Sequence, residues 1–168
     1  MNIELIPLTG IKINGTLIPL GGSRAEISAL LGQGEDIGDK CYYFDSELRI
    51  DLDKNSCVEF IEFLGGTDGK LHPTIYGIDV FSADPDEFLR VLSAQSKGDI
   101  IDIENGYSYS FPSIGVGIYR ECTPADIDEM IKEMKADGLD PENSEELEYE
   151  KRRTYWQTIG IGKADYYK

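Results

Sequence analysis

Short apolar runs open the chain. Ile3 to Leu8 and Ile11 to Pro19 are separated by Thr9-Gly10, and the second run is broken by Asn14-Gly15, a pair suited to a tight turn. They predict two short strands, the second folded around that turn. The period then changes. In Ser23-Arg24-Ala25-Glu26 the serine is an N-cap and the glutamate three residues on reaches back to the cap N–H, a capping box. Ile27, Leu30 and Leu31 follow at helical spacing, and Gly32 takes the conformation that ends a helix, so a helix is expected over about 23–31. Cys41 to Phe44, Leu48 to Leu52 and Cys57 to Leu64 read as a meander. Leu48, Ile50 and Leu52 alternate with Arg49, Asp51 and Asp53, as in a sheet with one wet face. Asp53-Lys54-Asn55-Ser56 is a turn.

Residues 65–73 are polar and glycine-rich, and after them the pattern restarts. Ile75 to Phe81 predicts a strand. Asp84-Pro85-Asp86-Glu87 places a cap, a proline at the first helical position and a glutamate three residues past the cap; Phe88, Val91 and Leu92 form the apolar face. Tyr107 to Phe111 and Ile114 to Arg120 read as a hairpin. Thr123-Pro124 starts a third helix that Gly138 stops, and a fourth is expected from about Ser144 to Tyr155. The last strand is Thr158 to Gly162, with an extension toward Tyr167.

The expected fold class is α+β, one domain over 1–168: an antiparallel sheet with helices packed mainly on one face. The order of elements also admits two tandem helix-plus-sheet repeats, 1–66 and 74–168, the second carrying a helical insertion at about 123–155. The competing reading is one irregular sheet with no internal repetition. Gly115 and Gly117 alternate with Ile114, Val116 and Ile118, and Gly160 and Gly162 alternate with Ile159 and Ile161. Glycine at every second strand position leaves one face bare, which favours close packing of another element; a flat cleft for a ligand or partner side chain is the other reading.

Charge changes the functional picture. The chain has 32 acidic and 16 basic residues, a net charge of -16 in 168 residues. Such an excess repels nucleic acid and anionic membranes and attracts basic partners. The 40% hydrophobic content argues for a folded chain and against an acidic disordered tail. Cys41, Cys57 and Cys122 match no metal spacing and read as free thiols, in keeping with a cytoplasmic setting. The N-terminal stretch has no basic, apolar signal pattern, and no apolar run reaches membrane-spanning length.

Few residues carry candidate chemistry. His72, the single histidine, precedes Pro73 in the proposed linker and reads as a solvent-exposed loop residue. Asp45, Glu47, Asp51 and Asp53 cluster around the first hairpin; the spacing lacks the glycine and distal glutamate of a calcium loop, so a solvated face or an acidic docking surface is expected and no metal or other cofactor. Asp99, Asp102 and Glu104 read as a polar loop. Asp137 to Glu150 contains seven acids and no lysine or arginine, including Asp140, Glu142, Glu145 and Glu146. Tyr149 within that run and Tyr155 and Trp156 after it are candidate interface anchors, because aromatics carry much interface energy; Trp156 is equally suited to the core.

The segment Leu20-Gly21-Gly22-Ser23-Arg24-Ala25-Glu26-Ile27-Ser28-Ala29-Leu30-Leu31-Gly32, followed by aromatic strands, resembles the helical segment of the β-lactamase inhibitory protein and of small outer-membrane assembly lipoproteins. Those families pack such a segment on a small antiparallel sheet, in tandem in the inhibitor. The inhibitor family is secreted and disulfide-bonded, so the shared feature is architecture. The acidic α+β character and the ending Trp156-Gln157-Thr158-Ile159-Gly160-Ile161-Gly162 are similar to immunity proteins of bacterial polymorphic toxin systems. That resemblance implies a non-enzymatic protein that neutralises a basic toxin and carries over no functional residue; occlusion of the toxin's active site is the expected mechanism, and the acidic segments make 137–150 or the Asp45–Asp53 hairpin the expected contact surface. A small-ligand-binding domain and a carboxylate-dependent hydrolase are the alternatives.

Overall fold

The computed structural model describes all residues, 1–168, as a mixed α+β fold of two sheets and four α-helices. The first half supplies β1 (Ile3–Ile6), β2 (Gly10–Ile13), β3 (Thr16–Pro19), α1 (Arg24–Leu31), β4 (Glu35–Ile37), β5 (Lys40–Tyr43), β6 (Leu48–Leu52) and β7 (Val58–Phe63). The second supplies β8 (Thr74–Ile75), β9 (Ile78–Asp79), α2 (Pro85–Gln95), β10 (Ile101–Asp102), β11 (Ser108–Phe111), β12 (Val116–Tyr119), α3 (Pro124–Ala136), α4 (Glu145–Arg152) and β13 (Thr158–Gly162).

The larger sheet has eight antiparallel strands in the order β10-β11-β12-β13-β7-β6-β5-β4. Each half contributes four strands that run from an outer edge to the middle, where β7 pairs with β13. Register explains the core. Tyr43, Leu48, Phe63, Ile159, Ile118 and Tyr109 form one cross-strand row, and Cys41, Ile50, Ile61, Ile161, Val116 and Phe111 the next. Strand side chains alternate between faces, so this register puts both apolar rows on one face.

A second sheet, absent from the sequence-based expectation of a single one, has the order β3-β2-β1-β8-β9. β1 pairs β8 in parallel at Glu4 and Thr74, and the Thr74 hydroxyl donates to the Ile3 carbonyl at 3.0 Å. This stitches the first strand to the second half. The predicted strand 75–81 is in fact the β8–β9 hairpin, because Tyr76 (φ 53°) and Gly77 (φ 77°) reverse the chain in left-handed conformation, as Asn14 (φ 49°) and Gly15 (φ 85°) do between β2 and β3.

Both sheets share one hydrophobic core of 26 buried residues, which takes in Ile27 from α1 and Phe88 and Leu92 from α2. The capping box at Ser23 and Glu26 is present, and Asp84 caps α2 by accepting from the Glu87 N–H at 2.9 Å. α3 and α4 stand apart: Cys122, Ile127 and Leu147 make a small second core, packed by Met130, Ile131 and Met134. They occupy the place between β12 and β13 that a tight turn fills between β6 and β7. α4 ends at Arg152, short of the expected Tyr155, and β13 ends at Gly162; residues 163–168 leave the strand and fold back over the sheet.

Candidate functional site

The acidic residues of the first hairpin divide by structure. Asp45 is exposed in a turn whose residues Phe44, Asp45 and Ser46 all have positive φ (55°, 55° and 67°); its carboxylate meets Lys70 Nζ at 3.0 Å, with both side chains 80% exposed. Such a pair contributes little to stability. Glu47 instead staples a loop: its carboxylate accepts from the Lys70 N–H (2.8 Å) and the Leu71 N–H (2.8 Å), and Gly65 and Gly69 lie too close to it to carry a Cβ. Asp51 is only 8% exposed. It accepts a two-point contact from Arg49 (2.8 and 3.2 Å), and Arg49 also pairs with Glu62 at 2.9 Å. Asp53 accepts from Lys163 Nζ (2.7 Å), the Cys57 N–H (3.0 Å) and the Asn55 N–H (2.9 Å). The Lys163 bond first, then the Cys57 N–H, hold its carboxyl down at about 2. Of this group Asp45 is the most exposed, whereas Glu47, Asp51 and Asp53 are each engaged in internal contacts.

The second predicted surface is open. Asp140 caps the short 3-10 turn 141–143, accepting from the Glu142 N–H at 3.0 Å. Glu142, Glu145 and Glu146 are exposed and in no ion pair, whereas Glu148 pairs with Lys151 (2.7 Å) and Glu150 with Arg153 (2.8 Å). Tyr149 is 53% exposed, with the Arg153 guanidinium 5.9 Å from its ring centre. Recesses of about 300 Å³ flank this helical arm, one lined by Ile131, Lys135, Asp140 and Leu147 among others. No hydrogen bond or ion pair links the arm to the Asp45 turn.

Trp156 is fully buried, which removes it from the interface candidates. Its Nε1 donates to the Pro85 carbonyl at 3.1 Å, Tyr109 meets it edge-on at 6.0 Å, and the Arg120 guanidinium sits 4.7 Å from its ring centre. An indole buried with its N–H satisfied and a cation on its face is a core element, here pinning the start of α2 to β13.

The glycine strands resolve in favour of close packing. Gly160 and Gly162 of β13 and Gly117 of β12 share the face opposite the core, together with Phe60 and Glu62 of β7. A Cβ on Gly160 would enter the Phe60 ring, one on Gly162 would lie 2.6 Å from Tyr166, and one on Gly117 would meet the Tyr167 hydroxyl and lie 2.6 Å from its Cζ. Tyr166 stacks on Phe60 with ring centres 4.5 Å apart and 4° between planes; Tyr167 meets Tyr166 edge-on at 5.0 Å. Burial pushes the Tyr167 hydroxyl's pKa well up and also raises that of Glu62, which Arg49 opposes. Sequence reasoning found the glycines but not the tyrosines that cover them; the aromatic pair Tyr166-Tyr167 after a Gly-x-Gly strand was the available signal.

His72 is half-exposed with Nδ1 3.4 Å from Asp79. Cys41 and Cys122 are buried and Cys57 partly so, all as free thiols, and burial pushes Cys41 up to about 11. No group of three or more His, Cys, Asp or Glu side chains is arranged to hold a metal ion, and no helix is long and apolar enough to cross a membrane. Comparison with known protein families, curated proteins and solved structures gives no match.

Proposed function

We propose that this chain is a binding module for a basic protein, acting as an immunity protein does by covering the active cleft of a toxin. The observation that supports the reading most is where the negative charge resides. At most ten of the 32 acidic side chains enter ion pairs, so the bulk of the excess charge stands unpaired. A surface of that kind speeds encounter with a cationic partner and suppresses self-association. The arm formed by α3 and α4 is the favoured contact: Glu142, Glu145 and Glu146 are uncommitted, and Tyr149 supplies an exposed aromatic beside them.

The same reading treats the chain as two tandem repeats. Each half runs a hairpin with a left-handed turn, a helix capped by Ser23 or Asp84 with a glutamate three residues on, and four strands stepping inward to the shared seam. The arm is then an insertion before the last strand of the second repeat, a place where a repeat tolerates added function without loss of its core.

The test is capture from native lysate with tagged protein at about 50 mM and about 500 mM salt, since screening weakens charge-driven association. A stoichiometric basic partner that is lost or weakened at high salt supports the reading. A partner that is acidic, or one held equally at both salts, overturns it.

A further inference from the structure

On the face of the eight-stranded sheet that turns away from the core, the chain's own segment 163–168 covers β7, β12 and β13. Lys163 anchors it, donating its N–H to the Glu59 carbonyl at 3.0 Å and its Nζ to Asp53. Beyond that anchor the backbone hydrogen bonds of the segment are internal: the Tyr166 N–H donates to the Lys163 carbonyl and the Lys168 N–H to the Asp165 carbonyl. Residues 164–168 therefore rest on the sheet through side chains alone, chiefly Tyr166 on Phe60 and Tyr167 over Gly117. The seat is made for aromatic rings. Its floor is glycine, and any larger residue there would fill it. Its charged neighbours are Asp51, Glu59 and Glu62 against the single Arg49.

Resting on the basic-partner reading, we infer that this trench is a docking seat for an aromatic side chain flanked by lysine or arginine on the partner, and that segment 163–168 is its displaceable internal occupant. The chain's own Tyr166-Tyr167 shows the chemistry that fits, two rings against glycine and Phe60, and the acidic neighbours favour a cation beside them. Residues 164–168, beyond the Lys163 anchor, have no backbone bond to the sheet, and a stretch held by side chains alone opens at lower free-energy cost than the core, so a competing segment gains access without unfolding the sheet. A second copy of the chain is a poor occupant, because two bodies of charge -16 repel.

The experiment uses the full-length Tyr166→Ala/Tyr167→Ala variant and two peptides, KADYYK and its ring-free counterpart KADAAK. The variant is expected to keep the far-UV circular dichroism of the parent and to bind KADYYK at least about tenfold more tightly than KADAAK, given that stacked rings carry most of the contact. The parent, with its seat filled, is expected to bind KADYYK at least about tenfold more weakly than the variant does. The single variant Tyr166→Ala, which removes the more exposed ring, should fall between the two. A folded variant that does not distinguish the peptides overturns the inference, and so does equal binding by parent and variant. Loss of fold in both variants also overturns it, since the segment is then part of the obligate core. The assay needs no partner, so its failure leaves the basic-partner reading standing, and a contrary pull-down leaves the peptide result intact.

Discussion

Gly160 sits where β13 passes beneath the Phe60 ring, and replacing it with alanine isolates what that close approach is worth. The added Cβ falls inside the ring's envelope and 2.7 Å from Cε2, while Tyr166 stacked at 4.5 Å on the other side resists a shift of the ring. Overpacking of this kind costs about 1–3 kcal/mol. Alanine recovers about 0.5–1 kcal/mol, because glycine loses more backbone freedom on folding. The net expectation is a loss of up to about 2.5 kcal/mol, or a melting temperature lower by up to about 10 °C for a chain of this size. The clash requires the ring, so the loss should vanish when the ring is gone. Phe60→Ala alone should cost about 3–4 kcal/mol; in that background Gly160→Ala should be neutral or stabilising, a coupling of at least about 1 kcal/mol. Urea unfolding followed by fluorescence of Trp156, the one tryptophan and fully buried, measures all four corners of the cycle. An equal cost of Gly160→Ala in both backgrounds, or a gain in the parent, refutes the argument that Phe60 is why glycine stands there.

Trp156→Phe removes the bond to the Pro85 carbonyl and most of the indole face under Arg120, with an expected loss of about 2–3 kcal/mol, checked by circular-dichroism melts. Asp53 is held at about 2 in the folded state against an ordinary value of 3.8, so its contribution is complete above pH 3.8 and is lost as pH falls through about 2. The urea midpoint of the parent should exceed that of Asp53→Asn at neutral pH, and the gap should close over that acidic window; a constant gap would show that the carboxylate charge is not responsible. Glu142→Gln/Glu145→Gln/Glu146→Gln should leave stability within about 0.5 kcal/mol while lowering salt-sensitive capture of the basic partner, scored by melting and pull-down together. Finally, co-expressed fragments cut between residues 66 and 74 should co-purify, because β7 with β13 and β1 with β8 join the halves by backbone pairing; separate elution would mean the covalent link is needed to align the seam.

Much of the local structure was legible because it is written in short-range chemistry. Ser23 with Glu26, Asp84 with Pro85 and Thr123 with Pro124 mark helix starts through caps that act within three residues, and all three helices begin where those caps place them. The β5–β6–β7 meander followed from alternation. β4 and β10 escaped notice: at three and two residues, with Glu35, Asp36 and Asp102 among them, they carry no period and become strands only by pairing with β5 and β11. The split of 75–81 was missed because Tyr76 is a poor predictor of a left-handed turn.

For the candidate site, charge and exposure were legible in part. The charged residues of 137–150 are surface, as their composition leads one to expect, while Leu147 among them turns inward to the small second core. The fates of Glu47, Asp51 and Asp53 depend on Leu71, Arg49 and Lys163, partners two to 110 residues away, and no local pattern distinguishes a stapled carboxylate from a free one. The sequence by itself determined an acidic α+β chain with capped helices, antiparallel hairpins and bare glycine faces. Only the tertiary structure decided that there are two sheets joined by one parallel pair, that Trp156 is core, and that Tyr166 and Tyr167 fill the glycine trench. The reason is physical: caps, turns and alternation act between neighbours in the chain, whereas burial, ion pairing and ring stacking are set by which distant segments the fold brings into contact.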